Sequence, residues 1–295
     1  MIAYLRTLEK PLEAGAKYLI LAAASSAFLL FGMALVYSEM GTMNFESLSL
    51  LLRNEAALTN PVLLVGLGMM VVGIGFKLAV APFHMWTPDV YEGAPSPVTA
   101  YIATVSKGAM FALLLRYFYQ IDGYEFGLVL VVFTVIAIAS MFLGNILALL
   151  QQNVKRILAY SSIAHLGYIL VAFVAGGSTA PTAIAYYLIV YMITTLAAFG
   201  IVALVSDKGN EKDNVDDYRG LFWQRPGLAA VFTAALLSLA GIPLTAGFIG
   251  KYYVLLVGVG GAEWLLVVIL IINSTIGLFY YLRIVVAMLS QPSEA

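Results

Sequence analysis

The sequence predicts an all-α polytopic membrane protein with two broken helices. Of its 295 residues, 62% are hydrophobic and 11% are charged, whereas an ordinary soluble domain carries about 25% charged residues. The mean hydropathy is +0.95, so the chain has too few charges to cover a water-soluble globule. Long apolar stretches follow one another along the chain, and proline interrupts two of them.

Apolar stretches define the predicted membrane spans, because about 20 apolar residues in a helix cross a hydrocarbon core of ~30 Å. Eight such stretches predict a single membrane domain over residues 1–295. They cover roughly residues 16–37, 61–92, 97–119, 127–149, 155–175, 182–205, 226–258 and 263–288. The longest polar connection, from Ser206 to Arg225, is predicted to be a solvated loop.

Two of the predicted spans are too long for one crossing. Stretches 61–92 and 226–258 would form roughly 45–50 Å of helix at about 1.5 Å per residue. Each is interrupted near its middle, the first by Pro82 and the second by Pro243. A pair of Gly/Pro-interrupted segments in corresponding places is typical of inverted-repeat transporters. Two ordinary proline-kinked helices are the alternative.

The distribution of basic residues predicts the orientation. With eight spans both termini lie on one side, which carries ten basic residues against two on the other side. The positive-inside rule then places both termini in the cytoplasm. The ten are Arg6, Lys10, Lys17, Lys155, Arg156, Lys208, Lys212, Arg219, Arg225 and Arg283, and the two are Arg53 and Arg116.

Three lysines, Lys77, Lys107 and Lys251, lie inside predicted spans and are the main candidates for function. A charge at the bilayer centre costs about 2.5–3.5 kcal/mol on insertion scales, and no Asp or Glu lies mid-span to offset it. Because burial disfavours the charged amine, a lysine at this depth can release and take up a proton near neutral pH. The alternative is snorkelling, in which the ammonium reaches the interface, and this works best near helix ends.

Neutral polar residues form two stripes at helical spacing. Histidine changes charge nearest to neutral pH, so His84, which follows the Pro82 break, and His165 are candidate members of a proton relay. Hydrogen bonding between helices is an equal alternative for the histidines and is favoured for the tyrosine–threonine stripe. The stripes are Ser161, His165 and Tyr168, and Tyr187, Tyr191 and Thr194.

The sequence also excludes several kinds of site. It has no Cys, which excludes disulfides, iron–sulfur ligation and zinc–thiolate sites within this chain. No G-x-G-x-x-G follows a strand and no P-loop is present, so no nucleotide site is predicted. The net charge of −1 gives no basic surface for nucleic acid. No cofactor or metal is therefore predicted for this chain, and no signal peptide precedes the first span.

Three stretches carry a resemblance to a known family: GFKLAVAPFHMWTPDVYEGAPSPVTAYIATVSK from Gly75, QNVKRILAYSSIAHLGYILVA from Gln152 and LSLAGIPLTAGFIGKYYV from Leu237. The chain resembles the subunit N family of the proton-translocating NADH–quinone oxidoreductase, respiratory complex I, whose mitochondrial members are NADH dehydrogenase subunit 2. The resemblance covers essentially the whole chain in order. Sister subunits L and M and related sodium/proton antiporter subunits share the scaffold, but the segment P-D-V-Y-E-G-A-P-S-P is N-type here. The M-type has Glu where this chain has Lys251.

The resemblance implies an antiporter-like inverted-repeat helix bundle, in which each five-helix repeat contains a broken helix. It implies that Lys77 is the broken-helix lysine of a first half-channel, that Lys107 is the connecting lysine and that Lys251 serves the second half-channel. His84 and His165 match positions along the same hydrophilic axis.

The implied function is proton translocation coupled to NADH oxidation and quinone reduction, as one subunit of a translocase. No redox site is implied in this chain, since FMN, iron–sulfur clusters and quinone belong to partner subunits. The implied partners are other membrane subunits of complex I and lipid, with protons as substrate. The implied location is the cell inner (plasma) membrane.

The chain departs from the family pattern at both ends and is predicted to be an incomplete piece of a longer subunit. In the family, the lysine that matches Lys77 pairs with a glutamate on the preceding helix. Residues 1–4 resemble the tail of that helix, and neither Glu9 nor Glu13 matches the glutamate. Two alternatives remain: a subunit of a multi-subunit sodium/proton antiporter, and a structural remnant that moves no ion.

Overall fold

A computed structural model describes residues 1–4, 9–52, 59–121, 123–125, 127–206 and 211–291. Arg6, Arg53 and Lys208, which entered the prediction of orientation, lie outside these residues. The helices are α1 (Glu9–Met40), α2 (Phe45–Leu52), α3 (Pro61–Leu78), α4 (Trp86–Gly93), α5 (Ser96–Gln120), α6 (Gly127–Leu149), α7 (Val154–Ala175), α8 (Ala180–Val205), α9 (Leu221–Gln224), α10 (Pro226–Ala240), α11 (Ala246–Gly260) and α12 (Trp264–Leu289). Short 3₁₀ turns cover Gly123–Glu125 and Val215–Tyr218.

The predicted fold class, an all-α membrane protein with broken helices, is confirmed. Within the described ranges seven helices, namely α1, α3, α5, α6, α7, α8 and α12, are long and apolar enough to cross a membrane. The shorter apolar helices α10 and α11 contain 15 residues each. The assignment of eight membrane crossings stays a prediction.

Helix α7 forms the centre of the bundle. In the most apolar segment of α7, 94% of the residues are buried, whereas in the most apolar segment of α1 only 17% are buried. Helices α4, α6, α8, α11 and α12 all pack against α7. A helix that is enclosed on every side can carry polar residues away from lipid, and α7 carries two serines, His165 and Tyr168 in its buried length.

The first break separates α3 from α4. Helix α3 ends where Ala79 adopts a left-handed conformation with φ of 59°. The N–H of Val80 donates to the Gly75 carbonyl at 3.1 Å, which closes a Schellman-type cap. The turn that follows contains a cis peptide bond between Ala81 and Pro82. The chain therefore stops and restarts its helix here, so the alternative of a simple proline kink is wrong.

The second break separates α10 from α11 by the same device. Gly241 has φ of +81°, and the N–H of Ile242 donates to the Leu237 carbonyl at 3.1 Å. The side chain of Thr245 then caps the start of α11 by accepting from the Phe248 N–H. Since Gly241 occupies the left-handed region, a residue with a side chain would be strained at this point.

Small residues allow α1 and α3 to pack closely. A Cβ atom added to Gly32 would lie 2.6 Å from the Gly66 carbonyl oxygen, and one added to Gly73 would lie 2.6 Å from the Leu29 Cβ. In a membrane, such close approach of backbones is a main source of helix association.

A cluster of five charged side chains ties one end of α1 and α4 to α7. Asp89 is hydrogen-bonded to Lys17 at 2.8 Å and to Arg156 at 2.9 Å. Glu92 accepts from Lys10 at 2.8 Å and from Arg156 at 2.9 Å. Burial raises the pKa of each carboxyl, but these hydrogen bonds outweigh burial, so each net pKa lies below its ordinary value of 3.8 for Asp89 and 4.5 for Glu92.

The prediction of a solvated loop from Ser206 to Arg225 is wrong for Glu211, Val215 and Tyr218, which pack against the bundle, whereas Asn214, Asp216 and Asp217 are exposed. The Glu211 carboxylate accepts from the fully buried amine of Lys155, and also from the N–H of Ser96 at 3.0 Å. An isolated antiparallel bridge joins Asn153 to Asn214. Val215 and Tyr218 are also buried against the bundle. Glu211 and Asp213 therefore fasten the loop to the helix ends, because their partners Lys155, Ser96 and Asn153 belong to other parts of the bundle.

Substitution of Gly73 by alanine should weaken the contact between α1 and α3. The new methyl group would meet the Leu29 Cβ at 2.6 Å and its Cα at 3.1 Å, and overpacking of this kind costs about 1–3 kcal/mol. The matched control is Gly68→Ala on the same helix, where a Cβ meets nothing within 4 Å. We expect a lower thermal unfolding midpoint in detergent for Gly73→Ala and no decrease for Gly68→Ala. Equal midpoints would contradict close packing at Gly73.

The charged cluster predicts loss of stability in acid. The lowered pKa values of Asp89 and Glu92 contribute stability that is present above the unfolded values of about 3.8 and 4.5 and is lost as the pH falls through the lower folded values. The free energy of unfolding should therefore decrease as the pH is lowered below about 4.5. The double variant Asp89→Asn, Glu92→Gln should show a shallower acid decline than the parent chain. Parallel pH profiles of the two proteins would show that these carboxyls contribute nothing.

Candidate functional site

Lys107 lies in the interior of the bundle and is 1% exposed. The preceding residues Ile102–Ser106 form a π-helical turn within α5, a feature that often marks functional sites. The Lys107 amine donates to the Ser162 hydroxyl on α7 and lies 5.5 Å from the ring centre of Tyr91. The hydroxyl of Tyr191 lies 2.7 Å from the same Ser162 oxygen and 3.3 Å from the Ala103 carbonyl in the π turn.

Lys251 occupies the second break. Its amine donates to the Ala240 carbonyl and to the Ser274 hydroxyl, both at 2.8 Å. The Ala240 carbonyl belongs to the last residue of α10, where the helix dipole is negative. The same amine lies 5.2 Å from the ring centre of Tyr168. A Cβ at Gly241 would meet the amine nitrogen at 3.0 Å, so a glycine is needed there for the lysine to reach this position.

His165 lies between the surroundings of the two lysines. Its Nδ1 is 2.8 Å from the Tyr187 hydroxyl and its Nε2 is 3.0 Å from the Tyr281 hydroxyl. Its ring centre is 5.5 Å from that of Tyr191, which contacts the partner of Lys107, and 5.5 Å from that of Tyr168, which lies under Lys251. A cavity of about 10 Å³ adjoins His165, Tyr187 and Tyr191, which is about the space of one water molecule.

A second polar group lies where α6, α7 and α12 meet. The amide of Asn145 donates to the Tyr168 hydroxyl at 2.8 Å, and its oxygen accepts from Tyr280 at 3.0 Å. Asn273 lies 3.4 Å from the Asn145 amide. Tyr280 and Tyr281 are adjacent, with ring centres 4.4 Å apart. This group therefore connects the surroundings of Lys251 with those of His165.

Lys77 and His84 lie at the first break. Lys77 is in the last turn of α3 and is half-buried. It makes no hydrogen bond or ion pair with any part of the chain that the structure describes. His84 is buried in the turn before α4, and its Nδ1 has no hydrogen-bond partner among those residues. The structure thus brings Lys107, Lys251 and His165 into one polar region, whereas Lys77 and His84 are not joined to it by direct hydrogen bonds.

Several residues of this region were not predicted as candidates. Ser162 was missed because it adjoins the predicted stripe of α7 and does not belong to it. Tyr187 and Tyr191 form the hydrogen bonds between helices that were predicted for them, and these bonds reach His165 and Ser162, the partner of Lys107. Asn145, Asn273 and Ser274 stand in otherwise apolar stretches, and their polarity in a membrane span is the signal that could have identified them.

A sequence profile of the family described as NADH:quinone oxidoreductase/Mrp antiporter, transmembrane, matches residues 1–277. The chain belongs to this family. NADH-quinone oxidoreductase subunit N of Methylococcus capsulatus is a family member that is 51% identical to it over 298 residues, which cover 99% of this chain and 60% of the relative. The chain thus spans about three fifths of the length of the curated relatives it matches.

Solved structures of the family share the fold. A chain of respiratory complex I from Thermus thermophilus, solved with bound aureothin, has a TM-score of 0.82 and 35% identity, covering 99% of this chain and 62% of that one. A chain of the Mrp complex from Dietzia sp. has a TM-score of 0.87 and 25% identity, covering 97% of this chain and 52% of that one. The scaffold is therefore common to the redox and antiporter branches of the family.

The geometry of the polar region suits proton transfer and not the binding of a metal. In the described residues, no group of three or more His, Asp or Glu could hold a metal ion. The buried amines of Lys107 and Lys251 instead contact hydroxyl groups, each of which can accept one hydrogen bond and donate another. Between them stands His165, whose two ring nitrogens both contact tyrosine hydroxyls.

Removal of the Ser162 hydroxyl should destabilise the protein. In Ser162→Ala the buried amine of Lys107 loses the one hydrogen-bond partner that the described chain offers it, which costs about 1–3 kcal/mol. The control is Ser26→Ala, because the Ser26 hydroxyl donates only to the Ala22 carbonyl of its own helix. We expect a lower unfolding midpoint in detergent for Ser162→Ala alone. A shift of the same size in both variants would exclude a specific role for this hydroxyl.

Proposed function

We propose that this chain is part of a subunit N that carries protons across the bacterial inner membrane, driven by electron transfer from NADH to quinone elsewhere in the complex. The observation that carries the proposal is the placement of Lys107 and Lys251. Both amines are buried in the bundle, both are held by neutral hydroxyl or carbonyl oxygens, and neither is paired with a carboxylate of the described residues.

Neutral partners favour a change of protonation. An amine held by a carboxylate would stay charged, because removing its proton would leave a buried carboxylate unpaired. An amine held by hydroxyl and carbonyl oxygens can be hydrogen-bonded in either protonation state, since hydroxyls act as donors and acceptors. Lys107 and Lys251 can therefore gain and lose a proton without disrupting their surroundings.

Protonation of one of these lysines then lowers the tendency of the other to bind a proton. Like charges in a medium of low dielectric repel, so protonation of Lys107 disfavours protonation of Lys251, and the reverse. His165 and its two tyrosine hydroxyls lie between the lysines and supply the hydrogen-bonding groups through which a proton passes. Lys77, at the first break, and His84 are assigned to the first half-channel of the same relay. This assignment of Lys77, His84, Lys107, His165 and Lys251 to one proton path is part of the proposal.

The relatives support the redox branch over the antiporter branch. The relatives at 51–54% identity are named NADH-quinone oxidoreductase subunit N, whereas the Mrp chain is 25% identical. Fold similarity does not separate the two functions, since both structural neighbours have TM-scores above 0.8. On this proposal the FMN, iron–sulfur clusters and quinone belong to partner subunits, other membrane subunits and lipid surround this chain, and both of its ends face the cytoplasm.

Replacement of Lys107 by methionine in the complete subunit should test the function. Methionine keeps the length and apolar stem and removes the proton-carrying amine. We expect NADH-driven proton uptake into inverted membrane vesicles to fall by at least about tenfold, because a positioned proton-transfer group contributes ~100-fold or more. The control is Lys10→Met, which removes an exposed amine paired at the surface with Glu92, and its proton uptake should be unchanged.

Two outcomes would contradict the proposal. Undiminished NADH-driven uptake in assembled Lys107→Met complexes would exclude Lys107 from the relay. Proton exchange that depends on sodium and needs no NADH would favour the antiporter alternative. Assembly is checked by co-migration of the subunit with the NADH-oxidising band on a native gel.

A further inference from the structure

Three lysines are buried among the described residues, and Lys155 is the one that the proposed relay does not use. Its side chain is 0% exposed, compared with 1% for Lys107 and 6% for Lys251. Its amine donates to the Glu211 carboxylate and to the Ala94 carbonyl, the latter at 2.7 Å. Because a carboxylate partner keeps a buried amine charged, Lys155 is a fixed cation, and its role differs from that of Lys107.

The Lys155–Glu211 pair holds both sides of the junction between α4 and α5. Only Ala94 and Pro95 separate the two helices. Lys155 holds the α4 side through the Ala94 carbonyl. Glu211 holds the α5 side, because its carboxylate accepts from the Ser96 N–H at 3.0 Å and from the Ser96 hydroxyl at 3.1 Å. Since the amine and the carboxylate also bond to each other, a continuous chain of hydrogen bonds closes the junction.

The pair also fixes the start of α5 relative to α7, because Lys155 stands in the first turn of α7. Polar contacts join α5 and α7 at two levels. At the helix end, Ser96 is joined through Glu211 to Lys155. In the interior, the Lys107 amine donates to the Ser162 hydroxyl. The two levels are about 16 Å apart along α5, so a shift at the first level is transmitted along the helix to the second.

The same junction governs the contact between Lys107 and Tyr91. The Tyr91 ring belongs to α4, and its centre lies 5.5 Å from the Lys107 amine on α5. The Thr99 hydroxyl, in the first turn of α5, donates to the Tyr91 carbonyl at 3.2 Å. The arrangement of the amine and the ring therefore depends on the angle between α4 and α5, which the junction sets.

The segment that carries Glu211 is attached to the bundle by other contacts as well. The Val215 N–H donates to the Gln152 carbonyl at 2.9 Å, and the Asp213 carboxylate accepts from the Asn153 amide at 2.6 Å. Removal of the Glu211 carboxylate would therefore loosen the junction while the segment stays docked.

We propose that Glu211 and Lys155 are positioning residues that hold the α4–α5 junction, and through it the Lys107 amine, in place for proton transfer. The proposal rests on the proposed function. Neither member of the pair exchanges a proton in it, since both stay charged, and they act only through the position of Lys107.

Substitution of Glu211 by glutamine in the complete, assembled complex tests this role. Glutamine keeps the size of the side chain but cannot neutralise Lys155. We expect NADH-driven proton uptake into inverted vesicles to fall by about tenfold, because a displacement of ~1 Å can cost ~100-fold in rate. The control is Asp216→Asn in the same segment, whose exposed carboxylate pairs with Arg219, and its uptake should match that of the parent.

A double variant separates position from stability. Lys155→Met combined with Glu211→Met replaces the buried pair by apolar side chains, which is often neutral for stability, yet it restores no contact with Ser96 or Ala94. We expect normal assembly on a native gel and the same loss of uptake as in Glu211→Gln. Parental uptake in the double variant would overturn the proposal, even where Glu211→Gln alone fails to assemble.

A second background shows whether Glu211 acts through Lys107. Ser162→Ala removes the hydroxyl that holds the Lys107 amine. In that background Glu211→Gln should lower uptake by less than about twofold, because the position that it sets is already lost and the two effects do not add. A further loss of about tenfold would show independent effects and contradict the proposal.

The results also separate this proposal from the function on which it rests. If Lys107→Met loses uptake while Glu211→Gln and the double variant match the parent, the lysine relay stands and the positioning role is excluded. Undiminished uptake in Lys107→Met would instead overturn the proposed function, and the positioning role with it.

Discussion

The fold depends on enclosing one polar helix, α7, inside a shell of apolar helices. A bilayer offers no water to an exposed serine or histidine, so such side chains must find partners within the protein. Helix α7 meets this constraint because its neighbours, α5 among them, supply hydroxyl, amine and amide partners to Ser162, His165 and Tyr168. The outward faces of helices such as α1 are free to be uniformly apolar for the same reason. The enclosure of α7 therefore determines both where the polar side chains lie and how the bundle is stabilised.

The two breaks are built alike, and each is followed by a helix that reaches the polar centre. After the first break α5 brings Lys107 to Ser162, and after the second break α12 brings Ser274 to Lys251. The two breaks differ in the position of the lysine relative to the break. Lys251 comes after its break and turns back to the last carbonyl of α10, whereas Lys77 comes before its break and has no such carbonyl partner among the described residues. The second break is therefore internally satisfied, whereas the Lys77 amine at the first break has no hydrogen-bond partner among the described residues.

Composition and periodicity were sufficient for the membrane fold and for the broken helices, because both follow from local rules: too few charges for a soluble surface, stretches too long for one crossing, and prolines within them. Contacts between distant helices could not be obtained in this way. The helical stripe of α7 favoured Ser161 over Ser162, and only the packing of distant helices determines that Ser162 meets Lys107 and Tyr191. The docking of Glu211 on Lys155 was missed for the same reason, since a charged loop is normally solvated and its partners are far away in sequence.

The polar centre contains two kinds of hydrogen bonding, and the contrast bears on how it works. Around Asn145 and Tyr168 the side chains bond directly to one another, and such a network fixes positions and resists change. At the first break and on α4 the pattern is mixed, because Asp89 and Glu92 accept from Arg156, whereas His84 Nδ1 and the Thr87 hydroxyl have no hydrogen-bond partner among the described residues. Lys107 lies between the Ser162 hydroxyl, which also accepts from Tyr191, and the ring of Tyr91. On the proposed function Lys107 alternates between two protonation states, and Ser162 can stay its hydrogen-bond partner in both, because a hydroxyl both donates and accepts.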